Sequence, residues 1–357
     1  MQIKGNYVVG DAQAVATLYE TGGFGRPRDG SLQLRFVEAA YLLSRGKIAI
    51  LKNGKELDFD EFIQFAALAE DFFELKYIVY KDLKERGYYV QSSATDFRVY
   101  PRGGKPGKGS AKSYVFVRSE RVPIPLSELL GLINEAQNVR KQFILAVVDE
   151  ESDITFYDVK RSDAVGSFEG GMSAPYPAEA KKEKPVKAVL FKERVILSDK
   201  ETADLLYNRA FFGRKMDDER LLLSLPESLY LAENGVLELY EMDGKRLSNE
   251  DFSKKASLID SEFSKKYTIY KELKEKGFVP KTGFKFGTHF RVYRKVESLD
   301  KIPHSEFLLN AISTDYEFHL PATSGAIRLA NSVHKRMIYA ADFGGKREYV
   351  EFERIKM

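Results

Sequence analysis

The chain has 357 residues, enough to bury more than one hydrophobic core, with a formal net charge of only +3 and no cysteine. The missing cysteine excludes disulfides, thiolate zinc sites and cysteine nucleophiles, and suits a reducing cytoplasm. No apolar run approaches the roughly 20 residues that span a bilayer, Met1-Gln2-Ile3-Lys4-Gly5 carries no apolar signal stretch, and so small a charge argues for a nucleic-acid partner only where cations cluster.

In chain order, Leu18-Tyr19 through Phe24-Gly25 leads into a Leu-rich helix that holds Tyr41-Leu42-Leu43. A second helix is predicted where Phe73, Tyr77, Tyr80 and Leu83 recur at i, i+4, i+7 and i+10. Gly87 closes it at a position that favours a left-handed residue, and large aromatics at this spacing belong to a core. An aromatic and β-branched stretch ending at Tyr100 predicts strands, and a later helix precedes an apolar strand at 143–148. Between them, Gly103-Gly104-Lys105-Pro106-Gly107-Lys108-Gly109 is basic but lacks the complete pattern of a phosphate-binding loop. Turn-formers and charge at 163–187, with little to bury, predict a linker.

The same elements then return. Leu206-Tyr207 through Phe212-Gly213 leads to a helix with Tyr230-Leu231-Ala232, and Phe263, Tyr267, Tyr270 and Leu273 repeat the aromatic stripe ahead of Gly277. Phe97-Arg98-Val99-Tyr100 is answered by Phe290-Arg291-Val292-Tyr293, and the apolar strand by 337–341. The prediction is a mixed α/β (α+β) chain made by tandem duplication. Each repeat has a helical, small-sheet N-terminal subdomain and a mixed-sheet C-terminal subdomain. The expected boundaries are 1–162 for the first repeat (1–70 and 71–162), 163–187 for the linker and 188–357 for the second repeat (188–260 and 261–357).

All four histidines, His289, His304, His319 and His334, lie in the second repeat. Aligning the repeats by their flanks sets Lys112 against His304, Tyr100 against Tyr293, Lys141 against Lys335, Asn134 against Arg328 and Asp158 against Arg354. Replacing histidine by lysine would silence a proton-transfer site, because only histidine titrates near neutrality without severe burial. The even spacing of the four histidines matches no metal-ligand pattern, and His289, His319 and His334 need no function. Tyr293, His304 and Lys335 suit RNA cleavage without a metal: a base for the ribose 2′-hydroxyl, an acid for the leaving 5′-oxygen and a cation for the dianionic transition state. Tyrosine is the weak member, since a phenol is scarcely ionised at neutral pH unless cations surround it.

The runs Phe284-Lys285-Phe286-Gly287-Thr288-His289-Phe290-Arg291-Val292-Tyr293, Pro303-His304-Ser305-Glu306-Phe307-Leu308 and Ile327-Arg328-Leu329-Ala330-Asn331-Ser332-Val333-His334-Lys335 resemble the signature of the archaeal tRNA-splicing endonucleases. The resemblance extends over essentially the whole chain, in the duplicated, homodimeric form of that family. It implies a nuclease-like C-terminal fold in which Tyr293 is the general base, His304 the general acid and Lys335 the transition-state stabiliser. It also implies cleavage of precursor tRNA at a bulge-helix-bulge without a cofactor, leaving a 2′,3′-cyclic phosphate and a 5′-hydroxyl. Arg328 and Arg354 would sandwich a flipped bulge base, as guanidinium planes do. The acidic loop Asp149-Glu150-Glu151-Ser152-Asp153, where the second repeat has Asp342-Phe343-Gly344-Gly345-Lys346-Arg347, would insert into a basic cleft of the partner chain. On residue type alone that loop is a solvated hairpin tip.

Two rival readings remain in the residues. A metal-dependent nuclease would use Asp149 with Asp158 and Lys160 to hold magnesium. A non-catalytic RNA-binding or scaffold protein would have two inert repeats.

Overall fold

The computed structural model describes residues 1–93, 95–162, 176–294 and 304–357. Residues 163–175 of the expected linker, and Pro303 of the second motif, lie outside them. The chain divides into two compact units: Met1–Lys160 with Glu317–Gly325 and Phe352–Met357, and Arg161–Tyr316 with Ala326–Glu351. Among the described residues no helix is long and apolar enough to cross a membrane.

Each repeat starts with a six-stranded sheet. In the first repeat Gln2–Lys4 pairs in parallel with Ile50–Lys52 at Gln2 and Leu51, and the other pairings are antiparallel. The second repeat keeps that topology around Val186–Phe191 and Leu237–Glu241. The helices Phe36–Ser44 and Leu225–Glu233 cover these sheets, and each hides a glutamate, Glu38 and Glu227. Gly25 and Gly213 approach them at φ +70° and +60°, and each donates its N–H to that glutamate at 3.0 and 2.9 Å. A Cβ at Gly213 would meet the Leu222 carbonyl oxygen at 2.3 Å, so only glycine fits. One local difference interrupts the likeness. The segment preceding Gly25 is a π-helix, Val15–Glu20, whereas the segment preceding Gly213 is a regular α-helix, Lys200–Ala210.

The aromatic stripes form the helices Phe73–Glu85 and Phe263–Glu275. Both end in the same way: Gly87 and Gly277 at φ +86° and +81° turn the chain, and the N–H groups of Tyr88 and Phe278 return to the carbonyls of Leu83 and Leu273 at 3.1 and 2.9 Å. Tyr77 and Tyr267 are the partly exposed members of the stripes, and the others are buried. Tyr80 meets Tyr41 edge-on at 5.8 Å and Phe97 at 5.6 Å; Tyr270 meets Tyr230 at 6.0 Å and Phe290 at 6.1 Å. Such pairs contribute about 0.5–1.5 kcal/mol each beyond their burial, and they tie helix, N-terminal part and sheet into one core per repeat.

The C-terminal sheets are mixed. Two antiparallel pairings join Val90–Ser93, Asp96–Val99 and Ser113–Ser119, and the helix Leu126–Asn138 then crosses over to the parallel strand Gln142–Val148. In the second repeat Val279–Thr282, Phe290–Tyr293 and Phe307–Ile312 are antiparallel, and Leu320–Ser332 crosses over to the parallel strand Arg336–Phe343.

Candidate active site

Phe307 begins the central strand and fixes the site. Val292 pairs with it on one side and Arg336 on the other. Tyr293 follows Val292 and Lys335 precedes Arg336, so both leave the sheet at the end where Phe307 enters it. Neighbouring strands lie about 4.8 Å apart, which puts the two outer backbones roughly 10 Å from each other. His304 stands on the incoming chain, three residues before Phe307. Glu306 locks that chain between the other two: its N–H donates to the Val292 carbonyl at 3.0 Å, and its carbonyl accepts the Arg336 N–H at 3.4 Å. The Glu306 carboxylate pairs with Arg294 at 3.0 Å and lies 3.8 Å from Arg336. The three expected residues therefore leave adjacent chains at one end of the sheet.

Their surroundings differ. Tyr293 is buried against Phe211 and Val279, and its hydroxyl has no hydrogen-bond partner among the described residues. Lys335 is 9% exposed. Burial, reinforced by the cations of Lys285 and Arg291, pushes its ammonium below the ordinary lysine pKa. Arg291 lies on the same strand as Tyr293, two residues away and so on the same face, with its guanidinium carbon 5.7 Å from the tyrosine ring centroid. His304 is exposed. The arrangement offers a phenol, an imidazole open to a ligand and at least three cations, which suits an anion with a proton to lose on one side and one to gain on the other. Lys285, Arg291 and Glu306 were not singled out from sequence. Their signal was their place inside the motif runs, but only strand register shows what they face.

Register also corrects the comparison between repeats. Phe97 and Val99 pair with Val115 and Ser113, whereas Phe290 and Val292 pair with Leu309 and Phe307. Ser113 thus corresponds to Phe307, Lys112 to Glu306, and Ser110 to His304. The expected exchange of His304 for Lys112 is wrong by two residues; a serine occupies the position. Lys141, the counterpart of Lys335, donates to that Ser110 hydroxyl at 3.2 Å. Tyr100, the counterpart of Tyr293, donates its hydroxyl to Gln91 at 2.9 Å, and burial raises its pKa. The pairing of Arg354 with Asp158 also fails. Ile144 pairs with Asp158, while the two-residue turn Gly344-Gly345 between Arg336–Phe343 and Lys346–Ile355 sets Ile338, the counterpart of Ile144, opposite Glu351. Three residues further on, Arg354 corresponds to Arg161.

Arg328 is exposed on the helix Leu320–Ser332, and Arg354 is exposed near the end of Lys346–Ile355. The acidic loop is a hairpin tip between Gln142–Val148 and Ile154–Arg161. Within it Asp149 is an organiser rather than a free charge, since its carboxylate accepts the N–H groups of Glu151 and Asp153 at 3.0 and 2.8 Å. Glu150 is bound by Arg121, while Glu151 and Asp153 face solvent. Asp149 at this tip and Asp158, five residues beyond Asp153 on the returning strand, are on the order of 15 Å apart along the hairpin. That spacing does not let one magnesium ion bridge them.

His289 is a structural clamp: its Nδ1 accepts the Ala311 N–H at 3.0 Å, and its Nε2 is left to donate to Glu262 at 3.0 Å. His319 and His334 are exposed, and the carbonyl of His319 accepts from Thr323 at the start of its helix.

The model described as tRNA intron endonuclease, catalytic C-terminal domain, matches residues 73–156 and again 263–349. The model for the tRNA intron endonuclease N-terminal domain matches 2–63 and 186–253. A tRNA-splicing endonuclease of Methanosarcina mazei is 55% identical over 356 residues, covering 100% of this chain and 98% of the relative. The protein of the same name from Haloarcula marismortui is 32% identical over 367 residues, covering 99% of each. With both domains present twice and relatives matched from end to end, the chain belongs to the tRNA intron endonuclease family of archaeal tRNA splicing.

Proposed function

We propose that this enzyme excises introns from precursor tRNA by cutting at bulge-helix-bulge motifs, through metal-independent acid/base transesterification in the second repeat. Tyr293 takes the proton of the ribose 2′-hydroxyl as its oxygen attacks the adjacent phosphorus. His304 gives a proton to the departing 5′-oxygen, and Lys335 neutralises the charge that develops on the phosphoryl oxygens. The products are a 2′,3′-cyclic phosphate and a 5′-hydroxyl, so one proton is taken and one returned. Arg328 and Arg354 hold an unpaired base between their guanidinium planes. The first repeat, 1–162, is non-catalytic. Joined through 163–187 to the catalytic repeat, 188–357, it presents Glu151 and Asp153 to the partner chain of a homodimer.

The observation that supports this reading is the strand register, by which Tyr293, His304 and Lys335 lie on three adjacent chains at one end of a sheet. The first repeat supports it by contrast, since Ser110 replaces the imidazole and Gln91 accepts from the tyrosine. The test is cleavage of a bulge-helix-bulge RNA in EDTA by wild type and His304→Ala, with end-group analysis. The expected result is cyclic-phosphate ends from wild type and a loss of at least 100-fold in the variant, as for removal of a general acid. Equal rates, or wild-type cleavage abolished by EDTA, would overturn the mechanism.

A further inference from the structure

The hairpin that leads into the Tyr293 strand differs between the repeats. In the first, residues 93–96 connect Ser92 to its partner Phe97; in the second, residues 283–289 connect the equivalent Thr282 to Phe290, three residues more. The added length forms a single 3₁₀ turn, Phe284–Phe286, closed by Gly287 at φ +63°. Its base is tight: the Phe286 N–H donates to the Gly283 carbonyl at 2.7 Å, and a Cβ on Gly283 would meet the Thr288 hydroxyl oxygen at 2.2 Å. At the tip Phe284 is 87% exposed, while Phe72, Phe191 and Phe343 are 42%, 42% and 38% exposed. Lys285 lies with its ammonium 4.8 Å from the Phe286 ring, and it is one of the two cations felt by Lys335.

An exposed phenyl ring on the same short turn as Lys285 costs solubility and buries little within the fold. It fits a ligand that combines a flat π-face with negative charge. We propose that Phe284 and Lys285 form an RNA subsite next to the scissile phosphate, in which Phe284 stacks on an unpaired nucleotide and Lys285 binds the phosphate that follows it. The subsite rests on the function proposed above and is distinct from the two arginines. It belongs to the catalytic repeat alone, because the chain between Ser92 and Phe97 in the first repeat is three residues shorter. A protein surface is the weaker occupant, since the residue that follows Phe284 is Lys285, a cation that acts on Lys335 together with Arg291.

The test measures binding in the full-length chain carrying His304→Ala, with a bulge-helix-bulge RNA and with the same RNA fully paired. Phe284→Ala is expected to weaken binding of the bulged RNA about tenfold and of the paired RNA little, as base–aromatic stacking implies. Phe284→Trp should retain affinity and Phe284→Leu should not, which separates stacking from apolar filling. Lys285→Gln should lower the slope of log affinity against log salt by about one. Unchanged affinity in Phe284→Ala, full rescue by leucine, or a shift from dimer to monomer in sedimentation would overturn the subsite. Whether the wild-type chain cleaves the bulged RNA at all is read separately, so failure of the subsite and failure of the function remain distinguishable.

Discussion

Lys281→Gln converts the second repeat's buried carboxylate into the arrangement that the first repeat already has. In the second repeat Glu227 accepts from Gly213 N–H at 2.9 Å, Ser224 N–H at 2.9 Å and Lys281 Nζ at 3.0 Å. Burial pushes this carboxyl up, but Lys281 and the backbone donors outweigh it, and its pKa ends below 4.5. In the first repeat the equivalent Glu38 has Gln91 in place of that lysine, and burial leaves its pKa above 4.5. Breaking a buried pair by removing one partner costs about 3–5 kcal/mol. Glutamine keeps a hydrogen bond to the glycine carbonyl, as Gln91 does to Gly25 at 3.1 Å, which reduces the expected loss to about 1–3 kcal/mol. The sign with pH follows from the two directions. A depressed carboxyl contributes stability above its unfolded pKa and loses it as pH falls through the folded value. A raised carboxyl loses its penalty earlier, on the same descent, so the deficit of the variant should be full at pH 7 and should shrink on going to pH 4. Urea denaturation of both proteins at the two pH values measures this. A deficit that is absent at pH 7, or that stays constant to pH 4, would refute the argument. Lys281 also pairs in register with Arg291, so the variant should lose cleavage rate through a displaced Tyr293 strand.

Two further outcomes separate structural from functional groups. His289→Ala removes the acceptor of the Ala311 N–H, while Glu262 keeps Lys265 and Lys266, so denaturation should show a loss of about 1–3 kcal/mol while kcat of the folded enzyme stays near wild type. Glu151→Lys with Asp153→Lys should shift sedimentation toward monomer and abolish cleavage together, whereas Asp149→Asn, which keeps an acceptor for the loop N–H groups, should leave an active dimer. An active dimer from the double reversal would remove the loop from the assembly.

The duplication and its helices were legible because their signals are local: an aromatic stripe at helical spacing and a glycine at the turn, each stated twice. The candidate triad was legible from residue type and motif order. The exchange opposite His304 was not, and the reason is geometric. Side chains on a strand alternate with period two, so a slip of two residues leaves the pattern of inward and outward positions unchanged. Lys112 and Ser110 satisfy that alternation equally, and only the hydrogen-bonded pairing with Val99 decides between them. Glu227 and Lys281 were illegible for a different reason: they lie 54 residues apart, and nothing in either neighbourhood announces the other.

Tyr100 held by Gln91 and Lys141 held by Ser110 give the first repeat a closed polar network of its own. Under the function proposed above, each of these bonds engages a group whose counterpart in the second repeat must be open to substrate. Ser110→His alone would meet a phenol that is already engaged with Gln91. On that reading Gln91 and Ser110 form one switch, which opens only when both positions change together.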